Sequence, residues 1–279
     1  MISIYSNPNR RGGSLGLIYP LLKLYKKEFT FFNDIDKLSS DKNKYLILVD
    51  CFDNTFSNSF IVALLTKFKN KYKKVIYLNG NDSPDISQSF ILDFVDLYFK
   101  KQVYADFSNY SKPLKGARLF IDKYYRENVI GDVSFSSTCL PSNSLNKIKI
   151  LWNLAYAPFP LSDYRRRFSF YAYKYSYPLL ASAFLQKFTP LNFPSTKKLP
   201  FIQSRFSFNH YGPVFGYQRK VFLSLAEKNS ALRTGYIPQS NYYNELSQSL
   251  GVLSPFGWGE LCYRDFTCQP AQKLASGPA

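Results

Sequence analysis

Histidine and methionine occur once each in this 279-residue sequence, and Asp plus Glu number only 19 against 36 Lys plus Arg. The single His excludes every site that needs two imidazoles, including HExxH zinc proteases and multi-His iron or copper centres. Cysteine is scarce as well: Cys51, Cys139, Cys262 and Cys268 form no CxxC pair. That is not the Cys-dense framework of a small secreted domain, and the expectation is free thiols in a reducing compartment. Long apolar runs are missing. The longest, residues 60–65 and 178–185, fall far below the ~20 residues that span a bilayer. A strand-like start precedes Arg10 and Arg11, the reverse of a signal peptide's order. The expectation is a cytoplasmic protein.

What is present is positive charge and rings. The net charge is +17, which favours anionic partners: small molecules or lipid phosphates. It also allows peripheral contact with the anionic inner face of a membrane, at roughly 1 kcal/mol per nearby basic residue. Hydrophobic residues make up 46%, the ordinary globular share, so a real core is expected. With 26 Phe and 23 Tyr, much of that core must be ring packing.

The first hundred residues alternate between two periods. Strands are predicted at 2–5, 29–32, 45–49 and 75–78, the third a continuous apolar run of the kind covered on both faces. Apolar residues from Leu15 to Tyr25, and again Phe56, Phe60, Ile61, Leu64, Leu65 and Phe68, recur at helical spacing. The basic run 67–74 closes the second of these helices, where the dipole favours cations. Strand–helix alternation of this kind is the signature of βαβ units on a parallel sheet. Ligands bind outside the carboxyl ends of such strands, which puts turns 7–16, 50–54 and 79–85 at the expected crevice. Glycines in 11–16 lack the GxGxxG spacing and read as an ordinary tight turn. Asp34 and Asp36 have the DxD spacing but read as a solvated turn. The stretch 191–200, with Pro194 and Pro200, reads as an interdomain linker. After it the alternation restarts, with strands expected at 201–208 and 251–254 and helices at 221–228 and 241–249. The expected organisation is a first domain over 1–190, the linker 191–200 and a second domain over 201–279.

Between residues 164 and 226 there is no acidic residue, yet there are ten basic ones, including Arg165, Arg166 and Arg167 among many Phe and Tyr. Basic residues interleaved with rings suit single-stranded nucleic acid. No recognisable nucleic-acid module accompanies them, and rings are dense everywhere here, so an anionic small molecule or lipid phosphate accounts for the charge more economically.

The most specific segment runs from Leu253 to Phe266, with the core Ser254, Pro255, Phe256, Gly257, Trp258, Gly259, Glu260. It reads as a strand end, a glycine loop and a helix start. Gly257 and Gly259 would let backbone N–H groups approach a ligand, and a helix N-terminus favours phosphate. Glu260 and Arg264, one turn apart, equally fit a plain surface ion pair. This segment resembles the S-P-F-G-W-G-E-x-C-Y-R-D-F-E stretch of bacterial and viral glycosyltransferases of GT-B type, related to exostosin-like enzymes. Residues 95–104, 147–154 and 217–219 are similar to the same group, so the resemblance spans about residues 45–266.

The resemblance implies an α/β chain of two Rossmann-like domains, the first on the acceptor side and the second holding a nucleotide-sugar donor across a cleft. It implies sugar transfer to a glycan or lipid-linked acceptor in surface polysaccharide or lipopolysaccharide biosynthesis, with no cofactor and no bound metal. Carried over residue by residue, Gly257, Trp258 and Gly259 would form the donor loop, and Glu260 would contact the donor sugar or ribose. Tyr263 and Arg264 would face the donor, and Arg219 with Lys220 would add a phosphate contact, although Arg219 equally fits a plain surface charge. Glu260, Asp53 and Asp82 are the catalytic candidates; Asp53, Asp82 and Asp85 also fit turn or capping roles, and His210 a structural one. The alternative is a non-enzymatic basic protein that binds nucleic acid or anionic lipid, or an inactive remnant.

The family pattern stops at Phe266. Thr267 stands where a Glu is expected, and Pro270 cannot sit inside a continuing helix. The expectation is a second domain left incomplete, with 271–279 a tail of small and polar residues without apolar periodicity, and with transferase activity reduced or absent.

Overall fold

The protein is described here from a computed structural model, in residues 1–7, 17–18, 20–21, 26–52, 55–152, 168, 171–172, 175, 180, 197–259, 265 and 272–274. The chain divides into two compact units, 1–111 with 139–188 and 112–138 with 189–279. Both are α/β units built on parallel sheets. Among the described residues no helix is long and apolar enough to cross a membrane.

The first unit holds six parallel strands: β1 (Ile2–Ser6), β2 (Phe29–Phe32), β3 (Tyr45–Val49), β4 (Lys74–Asn79), β5 (Leu97–Lys100) and β6 (Ile148–Ile150). Their order is β2-β1-β3-β4-β5-β6. In β3, Leu46, Ile47, Leu48 and Val49 are all buried, as a strand covered on both faces requires. One sheet face packs Ile4, Ile47, Val49 and Leu78 against Leu17, Ile18, Leu21 and Ala172. The other carries a ring stack in which Phe52, Tyr77 and Tyr98 follow one another at 5.9 and 5.2 Å.

Helix α1 (Asn58–Lys71) starts at Ser57, whose Oγ accepts the Phe60 N–H at 3.2 Å, an N-cap that satisfies one of the free donors of the first turn. It buries Ile61, Leu65 and Phe68 at helical spacing. It ends where Tyr72 turns extended and sends its hydroxyl to Asp41 at 2.9 Å.

The second unit has the strands β7 (Leu199–Gln203), β8 (Leu232–Arg233), β9 (Ser249–Leu253) and β10 (Gln272–Leu274), in the order β10-β9-β7-β8. It also contains α2 (Leu119–Arg126), α3 (Tyr217–Glu227) and α4 (Gln239–Gln248). Helix α2 comes from the first half of the sequence, yet Phe120, Ile121 and Val133 form one core cluster with Phe256. The sequence reading keeps 112–138 with the first domain; the fold joins it to the second unit because that apolar surface is completed only by residues beyond 199. Two further expectations change. β7 begins at Leu199, inside the expected linker, and stops at Gln203. The tail read over 271–279 as lacking apolar periodicity contains β10, paired in parallel with β9.

Candidate functional site

In both sheets the strand order reverses at one point. In the first unit the chain runs from β1 to β2 on one side and then to β3 on the other. In the second it runs from β7 to β8, then crosses to β9. The carboxyl ends of the strands flanking such a reversal form the crevice of open α/β sheets, because the loops leaving them part in opposite directions.

The glycine loop 254–259 leaves β9 at the reversal of the second sheet. It is tightly held. Ser254 Oγ donates to Asp265 Oδ1 at 2.6 Å, and the Phe256 N–H donates to Gln218 Oε1 at 2.9 Å. Arg219 Nε donates to the Phe256 carbonyl at 2.6 Å, and its other nitrogens reach the carbonyls of Ser207 (2.8 Å) and Pro255 (3.5 Å). From α2's N-terminal flank, Arg118 Nε donates to the Trp258 carbonyl at 2.7 Å. Charge-assisted bonds to backbone carbonyls are stronger than neutral ones, so the two arginines fix the loop's course. The same two guanidiniums bracket a run of rings. Arg118 lies over Phe215 (5.5 Å), Phe215 meets Trp258 (5.2 Å), Trp258 meets Tyr211 (5.1 Å), and Arg219 lies over Tyr211 (4.1 Å). Behind them the Tyr124 hydroxyl is pushed up in pKa by burial, against a hydrogen bond from Gln218.

Trp258 is 45% exposed, while Gly257 and Gly259 beside it are buried. The loop thus presents one large ring on a constrained backbone. The sequence reading has the glycine N–H groups facing a ligand; the Gly257 N–H instead donates to the Gly259 carbonyl at 3.0 Å. It has Arg219 reaching a phosphate; in the structure Arg219 is buried and holds the loop from beneath. Lys220 is exposed next to it, as is His210. Glu260, Tyr263, Arg264 and Asp53 lie outside the described residues, as do Arg165, Arg166 and Arg167.

The carboxyl edge of the first sheet concentrates buried polar groups. Ser6, Asn7, Asp50, Asn79, Lys100, Lys101 and Gln102 are each less than a tenth exposed. Burying polar groups is costly unless they are bonded; Asn7, Asn79, Lys100 and Lys101 are bonded to neighbouring segments, whereas the buried Ser6 hydroxyl has no partner among the described residues. Asn7 Nδ2 donates to the Cys51 carbonyl at 3.3 Å, across the β1/β3 reversal. Lys100 Nζ, fully buried, donates to Asn79 Oδ1 at 3.0 Å. Lys101 pairs with the expected catalytic candidate Asp82 at 2.6 Å. Asp50 adopts φ of 40°, in the left-handed region, an uncommon choice for a non-glycine residue. Its carboxylate lies against Gly80, where a Cβ would stand 2.9 Å from Oδ2. Burial, then the negative charges of Asp50 and Asp85, push the Tyr98 hydroxyl up, so both carboxylates act on this edge.

Turns 50–54 and 79–85 are expected at a crevice from the strand pattern; Lys100, Lys101 and Gln102 are not. The signals for them are the pair of lysines at the end of the apolar run of β5 and their place in the family-like stretch 95–104. Among the described residues no group of three or more His, Cys, Asp or Glu is placed to hold a metal ion. No protein-family model, curated protein or solved structure matches this chain.

Proposed function

We propose that this chain is a glycosyltransferase of GT-B type that moves a sugar from a nucleotide-sugar donor to a glycan or lipid-linked acceptor in surface polysaccharide or lipopolysaccharide biosynthesis. One observation carries the reading: the loop with the family-like motif leaves β9 at the strand-order reversal of the second sheet, where α/β folds bind nucleotides. The second unit then takes the donor. Trp258 offers a ring face to it, and Glu260, Tyr263 and Arg264, by resemblance, contact its sugar and phosphates. The polar carboxyl edge of the first unit takes the acceptor.

In the transfer, an acceptor hydroxyl oxygen forms a bond to the anomeric carbon. The bond from that carbon to phosphate oxygen breaks, and its electron pair leaves with the nucleoside diphosphate. The hydroxyl proton passes to a carboxylate, for which Asp53 and Asp82 are the candidates on the first unit. Fixed dipoles aimed at the developing charge lower the barrier because they need no reorganisation during the reaction. The two arginine clamps serve that preorganisation by holding the loop in one conformation.

Calorimetric titration of the full chain with UDP-, GDP- and CMP-sugars tests the reading. Saturable binding of one nucleotide class, weakened at least about tenfold by Trp258→Ala and insensitive to chelators, is the expected result. Absence of binding to every donor overturns it.

A further inference from the structure

A cleft of about 620 Å³ opens at the amino-terminal ends of β4 and β5, at the opposite end of the first sheet from the polar edge. That volume lies in the range of small-ligand pockets, about 300–1,000 Å³. Its walls bring together Lys69 from the end of α1, Lys73 from the link between α1 and β4, and Lys147 from the turn before β6, with the amides of Asn143 and Asn146 at the rim.

The hydrogen bonds of Lys69 and Lys147 go to neutral backbone carbonyls, which position the ammonium groups without cancelling their charge. Lys69 Nζ donates to the Asp93 carbonyl at 2.8 Å, and Lys147 Nζ to the Leu92 carbonyl at 2.6 Å. An ammonium has three donors, so each keeps capacity for another acceptor. Lys73 Nζ has no acceptor among the described residues. The one carboxylate in the lining, Asp96, pairs with Lys74 at 2.7 Å, accepts the Val75 N–H at 2.8 Å and also feels the charge of Lys147. Like charges gathered in one cleft repel. The dipole at the end of α1 accounts for lysines on that helix, but not for Lys147, which arrives from a separate segment and bonds the carbonyl adjacent to the one Lys69 uses.

We propose that this cleft is a phosphate-ester binding site, in which Lys69, Lys73 and Lys147 surround the anion and the two asparagines meet the group esterified to it. The ester is either a soluble phosphorylated metabolite or a phospholipid headgroup, and the two sources share the same recognition chemistry.

The test titrates the full chain with inorganic pyrophosphate and, separately, with phosphatidylglycerol/phosphatidylcholine vesicles and pure phosphatidylcholine vesicles. The key variant is Lys73→Glu, which removes no contact within the protein; Lys69→Gln/Lys147→Gln is its companion and Lys73→Arg the control. Binding should weaken about tenfold in Lys73→Glu, persist in Lys73→Arg, and be unchanged in Trp258→Ala. Loss for pyrophosphate alone assigns a soluble ester; loss for the anionic vesicles alone assigns a headgroup. Affinities within twofold of the unmodified chain for both probes in both cleft variants overturn the proposal, as does anion binding lost in Trp258→Ala and kept in the cleft variants.

Discussion

Arg219 Nε donates to the carbonyl of Phe256 at 2.6 Å, and through this bond helix α3 holds the loop that follows β9. Because the guanidinium is buried and also reaches Ser207 and Pro255, its role is to fix geometry. It is a positioning residue for the loop that carries Trp258.

Replacing Arg219 by Ala strands at least two carbonyls without their donor, which should cost about 3 kcal/mol at about 1–3 kcal/mol per buried group. Lysine lacks the planar fork and cannot serve several carbonyls at once, so Arg219→Lys should recover only part of the loss. Urea unfolding of the three proteins measures this, and equal stability would show that the loop holds itself.

Trp258→Ala should behave in the opposite way. Its ring is 45% exposed and meets Tyr211 and Phe215 in tilted contacts at 5.1 and 5.2 Å, so the stability cost should stay near about 1 kcal/mol. The melting temperature should therefore barely move while nucleotide-sugar binding falls. A large drop in melting temperature would make the ring a core element.

Acid should destabilise the second unit through Glu245. Burial pushes this carboxyl up, but hydrogen bonds from Arg205 and Gln203 and the charges of Arg205 and Arg233 outweigh it and hold it below its ordinary value of 4.5. A carboxyl depressed in the folded state contributes stability above its unfolded pKa and loses it as pH falls through the folded one. Glu245→Gln, which replaces the Arg205 ion pair (2.7 Å), should lower stability by about 2 kcal/mol at neutral pH. The gap to the unmodified chain should close below pH 4.5; a gap independent of pH would assign the loss to packing.

Gly80→Ala probes the polar edge of the first sheet. The new Cβ would stand 2.9 Å from Asp50 Oδ2 and 3.1 Å from Leu17 Cδ1. Asp50 is buried with a constrained backbone, so the overlap should displace its carboxylate and cost about 2 kcal/mol. A heteronuclear NMR spectrum showing shifts at Asp50, Asn79 and Lys100 would confirm the displacement; changes confined to residue 80 would refute it.

Local pattern carried much of the first sheet. The apolar run of β3 and the spacing of Ile61, Leu65 and Phe68 on α1 follow from periods that neighbouring residues alone determine. The same local reading could not assign α2. Its amphipathic face demands a partner, but that partner, Phe256, lies more than a hundred residues downstream, and periodicity does not say which sheet a helix joins. The site divides along the same line. Turns at strand ends are legible because the alternation places them. The burial of Lys100 is not, since a lysine after a strand reads as solvated until its Asn79 partner is seen. Arg219 is the converse case: a charged residue read as facing a ligand is a buried clamp.

The excursion of 112–138 into the second unit also orders events during synthesis. These residues leave the ribosome long before β7, β9 and Phe256 exist, so Phe120, Ile121 and Val133 must wait with their apolar faces uncovered. That interval is an opening for chaperones and for aggregation. It also means that scission near residue 190 yields no autonomous halves: the leading fragment carries an orphaned helix, and the trailing one lacks the part that seals its core.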